Sequence, residues 1–176
     1  MFLLIPDVPI AFIYFNHKEH PSAVELIGSL LKQILQQGTG ISSRIRDLHS
    51  KHSIRETQPS LAEISDLLVL ESHSFSKLYM VVDALDECPA EANTQEKVLA
   101  VLHKLFNLHL LITSQPHLDI NSEFSSIQYL HIRADYKDLK AYVLTRLKND
   151  RHLRQYVRQD NQEIVIDKIV KNSDGM

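Results

Sequence analysis

The stretch Lys77–Pro89, KLYMVVDALDECP, sets the reading of the whole chain. Its apolar run Leu78–Val82 has the length of a buried strand and is rich in β-branched and aromatic residues. The run ends in Asp83, and two more acids, Asp86 and Glu87, follow in the next loop. In open parallel sheets ligands bind beyond the carboxyl ends of the strands, which is where Asp83 falls. A carboxylate there can hold a hard cation such as Mg²⁺, directly or through water, and Asp86 or Glu87 can polarise a water molecule. Crowded carboxylates repel unless a cation or water separates them, so the full VVDALDE run says more than a lone aspartate at a strand end. The plain alternative is a βα loop that carries acids for solubility and as helix-start signals.

Outward from this stretch, three more apolar runs read as strands: Ala11–Phe15, Leu108–Thr113 and Gln128–Ile132. Between them the period becomes helical. Over Pro21–Gln36 the residues Ala23, Val24, Leu26, Ile27, Leu30, Leu31, Ile34 and Leu35 follow i, i+3, i+4, i+7 spacing, with Pro21 in the first turn and Gly38 as the stop. Ser60 to Glu63 has the capping-box pattern and opens a helix with Leu61, Ile64, Leu67 and Leu68 on one face. Thr94 is expected to cap a third helix reaching Phe106. Asp135 opens a fourth, with Leu139, Tyr142, Val143 and Leu147. Asp160 and Glu163 mark a last one, with Ile164 and Ile169 facing inward. Strands alternating with helices imply parallel crossovers and a sheet covered on both faces. Without an internal repeat or a Pro/Gly/Ser linker, residues 1–176 read as one unit.

Composition narrows the class. The chain has 176 residues, 44% of them hydrophobic, and a net charge of −3 with acids and bases interspersed. That leaves no electrostatic footprint for nucleic acid. The basic residues of Arg146–Arg158 are diluted by acids and apolar residues, as on a solvated helix face. The single cysteine, Cys88, rules out an internal disulfide framework and makes a reducing, cytoplasmic setting the expectation. The apolar N-terminus is broken by Pro6, Asp7 and Pro9 and lacks the basic start of a signal peptide. No apolar run approaches the ~20 residues of a membrane helix.

A second stretch, Leu110–Pro116 (LLITSQP), ends a strand in hydroxyls that could sense a phosphate or its attacking water; a hydroxyl-rich strand end before a proline turn is the plain alternative. In order, IYFN, a leucine-rich helix, VVDALDEC, LLITSQP and LHIRADYKDLKAYV resemble the NACHT-type signal-transduction NTPases of the STAND class. The likeness is to their fungal branch with a nephrocystin-3-like N-terminal domain, commonly followed by ankyrin repeats. It runs from about Ala11 to Met176, and Val81–Cys88 is its most specific part. The resemblance implies a three-layer α/β P-loop NTPase-like sheet and a nucleotide-dependent switch of the NOD-like receptor type using Mg²⁺ with ATP or GTP. Asp83 would then be the Walker B aspartate that organises Mg²⁺. Asp86 and Glu87 would match the extra acids that activate water, and Thr113, Ser114 and Gln115 would stand at the sensor position.

Two departures follow. The family usually carries an arginine before the proline of the sensor run; this chain has Gln115, which can donate a hydrogen bond but brings no positive charge. The larger departure is the phosphate loop. A GxxxxGK(S/T) motif cradles phosphates with backbone amides and a lysine. None of Gly28, Gly38, Gly40 and Gly175 precedes a Lys-Ser or Lys-Thr pair. The expectation is therefore an incomplete domain, lacking the first strand and the phosphate loop, with two strands left unpaired at the gap. Met1–Ile5 lies too close to the next strand for a parallel crossover to fill it. Such a chain should bind little or no nucleotide alone. Its partners would be other domains of a longer chain, such as repeats and an effector, or a second copy. The alternative, from a different class, is a non-enzymatic, degenerate NTPase-fold module for protein interaction.

Other chemistry is sparse. His17 with His20, and His49 with His52, have helix-face spacing but no companion cysteines or clustered acids, so they read as surface histidines. Cys88 beside two acids should have its thiolate disfavoured, which argues against a nucleophile. Tyr79 and Met80 read as strand filling.

Overall fold

The computed structural model describes residues 7–38, 40–89, 93–115, 120, 124, 126–157 and 161–172. The chain divides into two compact units, Met1–Ile127 and Gln128–Met176, each with its own apolar cluster. It is an α/β chain, and the first unit holds a small open parallel sheet.

The strands are β1 (Ile10–Tyr14), β2 (Leu78–Asp83) and β3 (Leu108–Ile112), in the order β1-β2-β3. The register runs Ile10↔Tyr79 to Tyr14↔Asp83 and Leu78↔Leu108 to Val82↔Ile112. Three of the four expected strands thus form, within one residue of their expected ends. Helices α1 (Ala23–Gln37), α2 (Ser43–Arg55) and α3 (Leu61–Ser72) link β1 to β2, and α4 (Thr94–Leu102) links β2 to β3.

Burial alternates along the strands. Ala11, Ile13, Leu78, Met80 and Val82 are buried against Ile27, Leu30 and Ile34 of α1, Leu68 of α3, and Val98 and Leu102 of α4. Helix α1 lies on β1, and α3 and α4 both pack against α1. The opposite strand positions, Ile10, Phe12, Tyr14, Tyr79 and Leu111, stay exposed. This corrects the expectation of helices on both faces: among the described residues, only one face of the sheet is covered. Runs such as IAFIY and LYMVV are apolar at every position, so composition could not separate a strand buried on one face from one buried on both. Strand β2 pairs directly with both neighbours, and among the described residues the outer edges of β1 and β3 have no further strand beside them. Met1–Ile5 lies outside the described residues.

The helix ends show which local signals decide. Ser60 caps α3 with a full capping box to Glu63, as expected. Helix α1 starts from Ser22, whose hydroxyl accepts the Glu25 N–H while Glu25 returns to the Ser22 N–H at 2.7 Å. Pro21 therefore precedes the cap and does not enter the first turn. Gly38 closes α1 with N–H bonds to Ile34 and Leu35 carbonyls. Asn93, in the left-handed region at φ 53°, stands at the N-cap of α4 without a side-chain cap bond, so Thr94 is the first helical residue and not the cap, and the helix ends at Leu102, short of Phe106. Helix α2 lacks an apolar face: none of its residues is fully buried and Ile45 and Leu48 lean on the core, while Ser42 caps it by accepting the Ile45 N–H.

The second unit comprises α5 (Tyr136–Asn149), α6 (Leu153–Tyr156) and α7 (Gln162–Asn172). Asp135 does cap α5. Leu147, Ile166 and Val170 form its small core, with Leu139 and Val143 alongside, while Tyr142 is exposed. Ile164 and Ile169 are exposed, which corrects the expected inward face of α7: Ile166 and Val170 share the alternative i, i+4 stripe. Asp160 lies outside the described residues. Gln128–Ile132 is not a strand, and Leu130 and Ile132 point into solvent.

Candidate functional site at the carboxyl end of the sheet

The expected site residues meet where β2 and β3 end. Asp83 is the last residue of β2. Ala84 follows with φ 55° and ψ 50°, a left-handed conformation that costs a non-glycine residue about 1–2 kcal/mol. That kink turns the chain into a single 3₁₀ turn, Leu85–Glu87. Leu85 is fully buried and anchors it, and the Leu85 N–H bonds the Thr113 carbonyl at 2.9 Å. Asp83, Asp86 and Glu87 are all left half-buried at the mouth.

Each acid has a donor from a neighbouring strand end. The Thr113 hydroxyl donates to Asp83 Oδ1 and accepts the Ala84 N–H at 2.9 Å. The backbone N–H of Gln115 donates to Asp86 Oδ1 at 3.1 Å. The backbone N–H of His17, just past β1, donates to Glu87 Oε2 at 3.0 Å, with the His17 ring Nδ1 3.6 Å from the same oxygen. The structure thus brings Thr113 and Gln115 to the acids. Ser114 instead donates to the Gln115 carbonyl, at 3.2 Å. The Gln115 side chain makes no bond to the acids; its contribution is a main-chain amide that any residue but proline supplies. His17 was the residue that sequence reasoning missed, because a backbone donor leaves no mark in side-chain type.

The fit of this mouth to Mg²⁺ is limited. Among the described residues no group of three or more His, Cys, Asp or Glu side chains converges on one point. Mg²⁺ needs only one or two carboxylates when phosphates and waters complete its shell. Asp83 Oδ2, Asp86 Oδ2 and Glu87 Oε1 carry no hydrogen bond among the described residues, and such single-oxygen contacts are what the acids can offer. A cage made of protein ligands alone is not formed.

The remaining candidates resolve simply. Cys88 is buried, and burial pushes its thiol up to about 11, so it stays protonated. The outcome expected from the sequence holds, though the cause is desolvation and not the adjacent acids. His17, His20 and His49 are exposed. His52 is not a plain surface residue: its ring bonds Thr57 Oγ1 at 2.8 Å and Glu63 Oε1 at 3.3 Å. Met80 fills the core, whereas Tyr79 stacks on His109 on the open face. A cavity of about 300 Å³ lies at the start of α1, lined by His20, Ser22, Val24, Leu61 and Lys97, and none of the three acids reaches it.

Residues 6–115 match the family described as Nephrocystin 3, N-terminal. The match covers more than half of the chain, includes all three acids and ends at Gln115. No curated protein and no solved structure matches the chain. With Asp83, Asp86, Glu87 and Thr113–Gln115 all inside the matched span, the chain belongs to the nephrocystin 3 N-terminal family.

Proposed function

We propose that this chain carries the cation-binding half of a nucleotide-dependent switch domain, of the NACHT type to which its sequence is similar. Asp83 is the carboxylate that takes Mg²⁺, Asp86 or Glu87 orients the attacking water, and Thr113 is the sensing hydroxyl. The observation that carries this reading is the bond from Thr113 to Asp83, which joins the ends of adjacent strands at the carboxyl mouth of a parallel sheet. The other half is a phosphate cradle, and the 176 residues contain no GxxxxGK(S/T) segment to provide it. The chain by itself therefore grips ATP or GTP weakly or not at all. Attached repeats or effector domains, in a cytoplasmic setting, read out the switch. The test uses a longer chain that carries a phosphate loop: Asp83→Ala should reduce its hydrolysis by at least about 100-fold. Hydrolysis at the unsubstituted rate would remove Asp83 from the site.

One observation favours a second reading. Asp86 and Glu87 already accept main-chain hydrogen bonds from within the chain, as expected of a module that has lost nucleotide chemistry and binds other proteins. The two readings separate on the gene sequence upstream: a phosphate-loop motif in frame supports the switch, and its absence supports the module.

A further inference from the structure

The outer edge of β1 is met by side chains in place of a strand. The Gln33 side chain accepts the N–H of Phe12 at 3.0 Å and donates to the Phe12 carbonyl at 2.9 Å. Gln37 does the same to Ile10, at 3.1 and 2.6 Å. A carboxamide carries both an acceptor and a donor, so each glutamine meets its strand residue as a peptide group of a neighbouring strand would. The inner side of β1 is taken up by β2, as in the bond from the Tyr79 N–H to the Pro9 carbonyl at 3.0 Å. Of β1, only Tyr14 keeps its outward main chain unmet among the described residues, too little for a ladder.

Both amides are tethered within α1 as well. Gln37 Nε2 donates to the Gln33 carbonyl at 3.0 Å, and Gln33 Nε2 to the Ser29 hydroxyl at 3.3 Å. Four residues of helix rise about 6 Å and two residues of strand about 6.6 Å, so the glutamines keep step with Phe12 and Ile10. The edge they close is a hazard if left open. Ile10–Phe15, IAFIYF, is β-branched or aromatic at all but Ala11 and holds no charge, proline or glycine, the composition of a segment that pairs with copies of itself. A lysine, a proline or a bulge commonly blunts an edge strand; β1 has none of them, and its register with β2 runs unbroken from Ile10 to Tyr14.

We propose that Gln33 and Gln37 are a built-in guard against strand pairing: they hold the β1 edge closed to the same strand of another molecule, and a chain without them associates edge to edge. The proposal rests on four hydrogen bonds already made. It is therefore independent of what covers either face of the sheet, and it stands apart from the nucleotide reading and survives its failure.

Sedimentation velocity of the 176-residue chain over about 1–100 μM is the test, comparing the wild type with the double variant Gln33→Ala, Gln37→Ala. Alanine is the strongest helix former, so α1 keeps its helix and far-UV circular dichroism should be unchanged. The double variant should associate at least about tenfold more strongly than the wild type. Its Ile10 and Phe12 amides, opened by the substitutions, should regain protection from hydrogen exchange as concentration rises. Adding Phe12→Pro removes an outward N–H while sparing the bonds to β2, and should return the double variant to wild-type behaviour. Adding Phe12→Ala instead removes the same ring but keeps the N–H, and should not. A double variant that associates no more than the wild type would overturn the proposal. So would association that leaves the two amides unprotected, or rescue by Phe12→Ala as complete as that by Phe12→Pro. Should Phe12→Pro fail to fold, exchange at Ile10 and Phe12 still decides.

Discussion

Single residues fix the turns that shape this chain. Ser60 and Glu63 exchange hydrogen bonds at the start of α3, with the Ser60 N–H to Glu63 at 2.9 Å. Ser60→Ala should lower stability by about 1 kcal/mol in urea denaturation. Lys51, 2.5 Å from Glu63, and then Ser60 and His52 hold the Glu63 carboxyl well below the usual carboxylate range. A carboxyl with a depressed folded pKa stabilises the fold above its unfolded value, near 4.5 here, and that contribution fades as pH falls below it. The melting temperature of the wild type should therefore drop more steeply from about pH 5 to pH 2 than that of Glu63→Gln; parallel curves would show that the contacts holding the Glu63 carboxyl down are not formed in solution. At the mouth, Thr113→Val removes the bonds to Asp83 and to the Ala84 N–H together. Because Thr113 is exposed, the expected loss is about 1 kcal/mol, measured the same way. The Ser60 box was legible in the sequence because both of its partners are side chains at fixed spacing. The matching box at Ser22 and Glu25 was masked by Pro21, which reads as a first-turn residue one step too early. The donors that engage Asp86 and Glu87 are main-chain amides of Gln115 and His17, and no side-chain pattern announces those.

At the scale of elements, the short apolar strands were legible because five or six consecutive apolar residues bounded by polar ones have few other uses. Which faces they bury was not, since both faces of IAFIY and LYMVV are apolar. The Gln128–Ile132 run shows the converse. It has strand composition, but a strand exists only where a neighbour completes its ladder, and this segment does not form one. In α7 two apolar stripes compete, Ile164 with Ile169 and Ile166 with Val170, and packing against α5 selected the second. The most specific inter-element contact is the pair of glutamines that α1 lays along β1. Its Gln33 and Gln37 lie one helical turn apart, matching every second residue of the strand. Replacing both by alanine should speed hydrogen exchange of the Ile10 and Phe12 amides by about tenfold or more, with little change in β2. Unchanged exchange at those two amides would mean that the glutamines do not guard the edge.

At the scale of the molecule, two compact units with separate apolar clusters follow one another, and the family match lies inside the first. Residues 1–127 expressed alone should keep a cooperative thermal transition by circular dichroism, because every residue of the larger cluster comes from that unit; a non-cooperative melt would tie its stability to the second. The whole-molecule proposal is that Asp83, Asp86 and Glu87 are the acids of a nucleotide site and that these 176 residues hold no GxxxxGK(S/T) loop to grip phosphate. Isothermal titration of the 176-residue chain with MgATP and MgGTP tests it most directly. The expected result is no binding tighter than about 1 μM for either nucleotide, whereas a submicromolar, Mg²⁺-dependent affinity would contradict it.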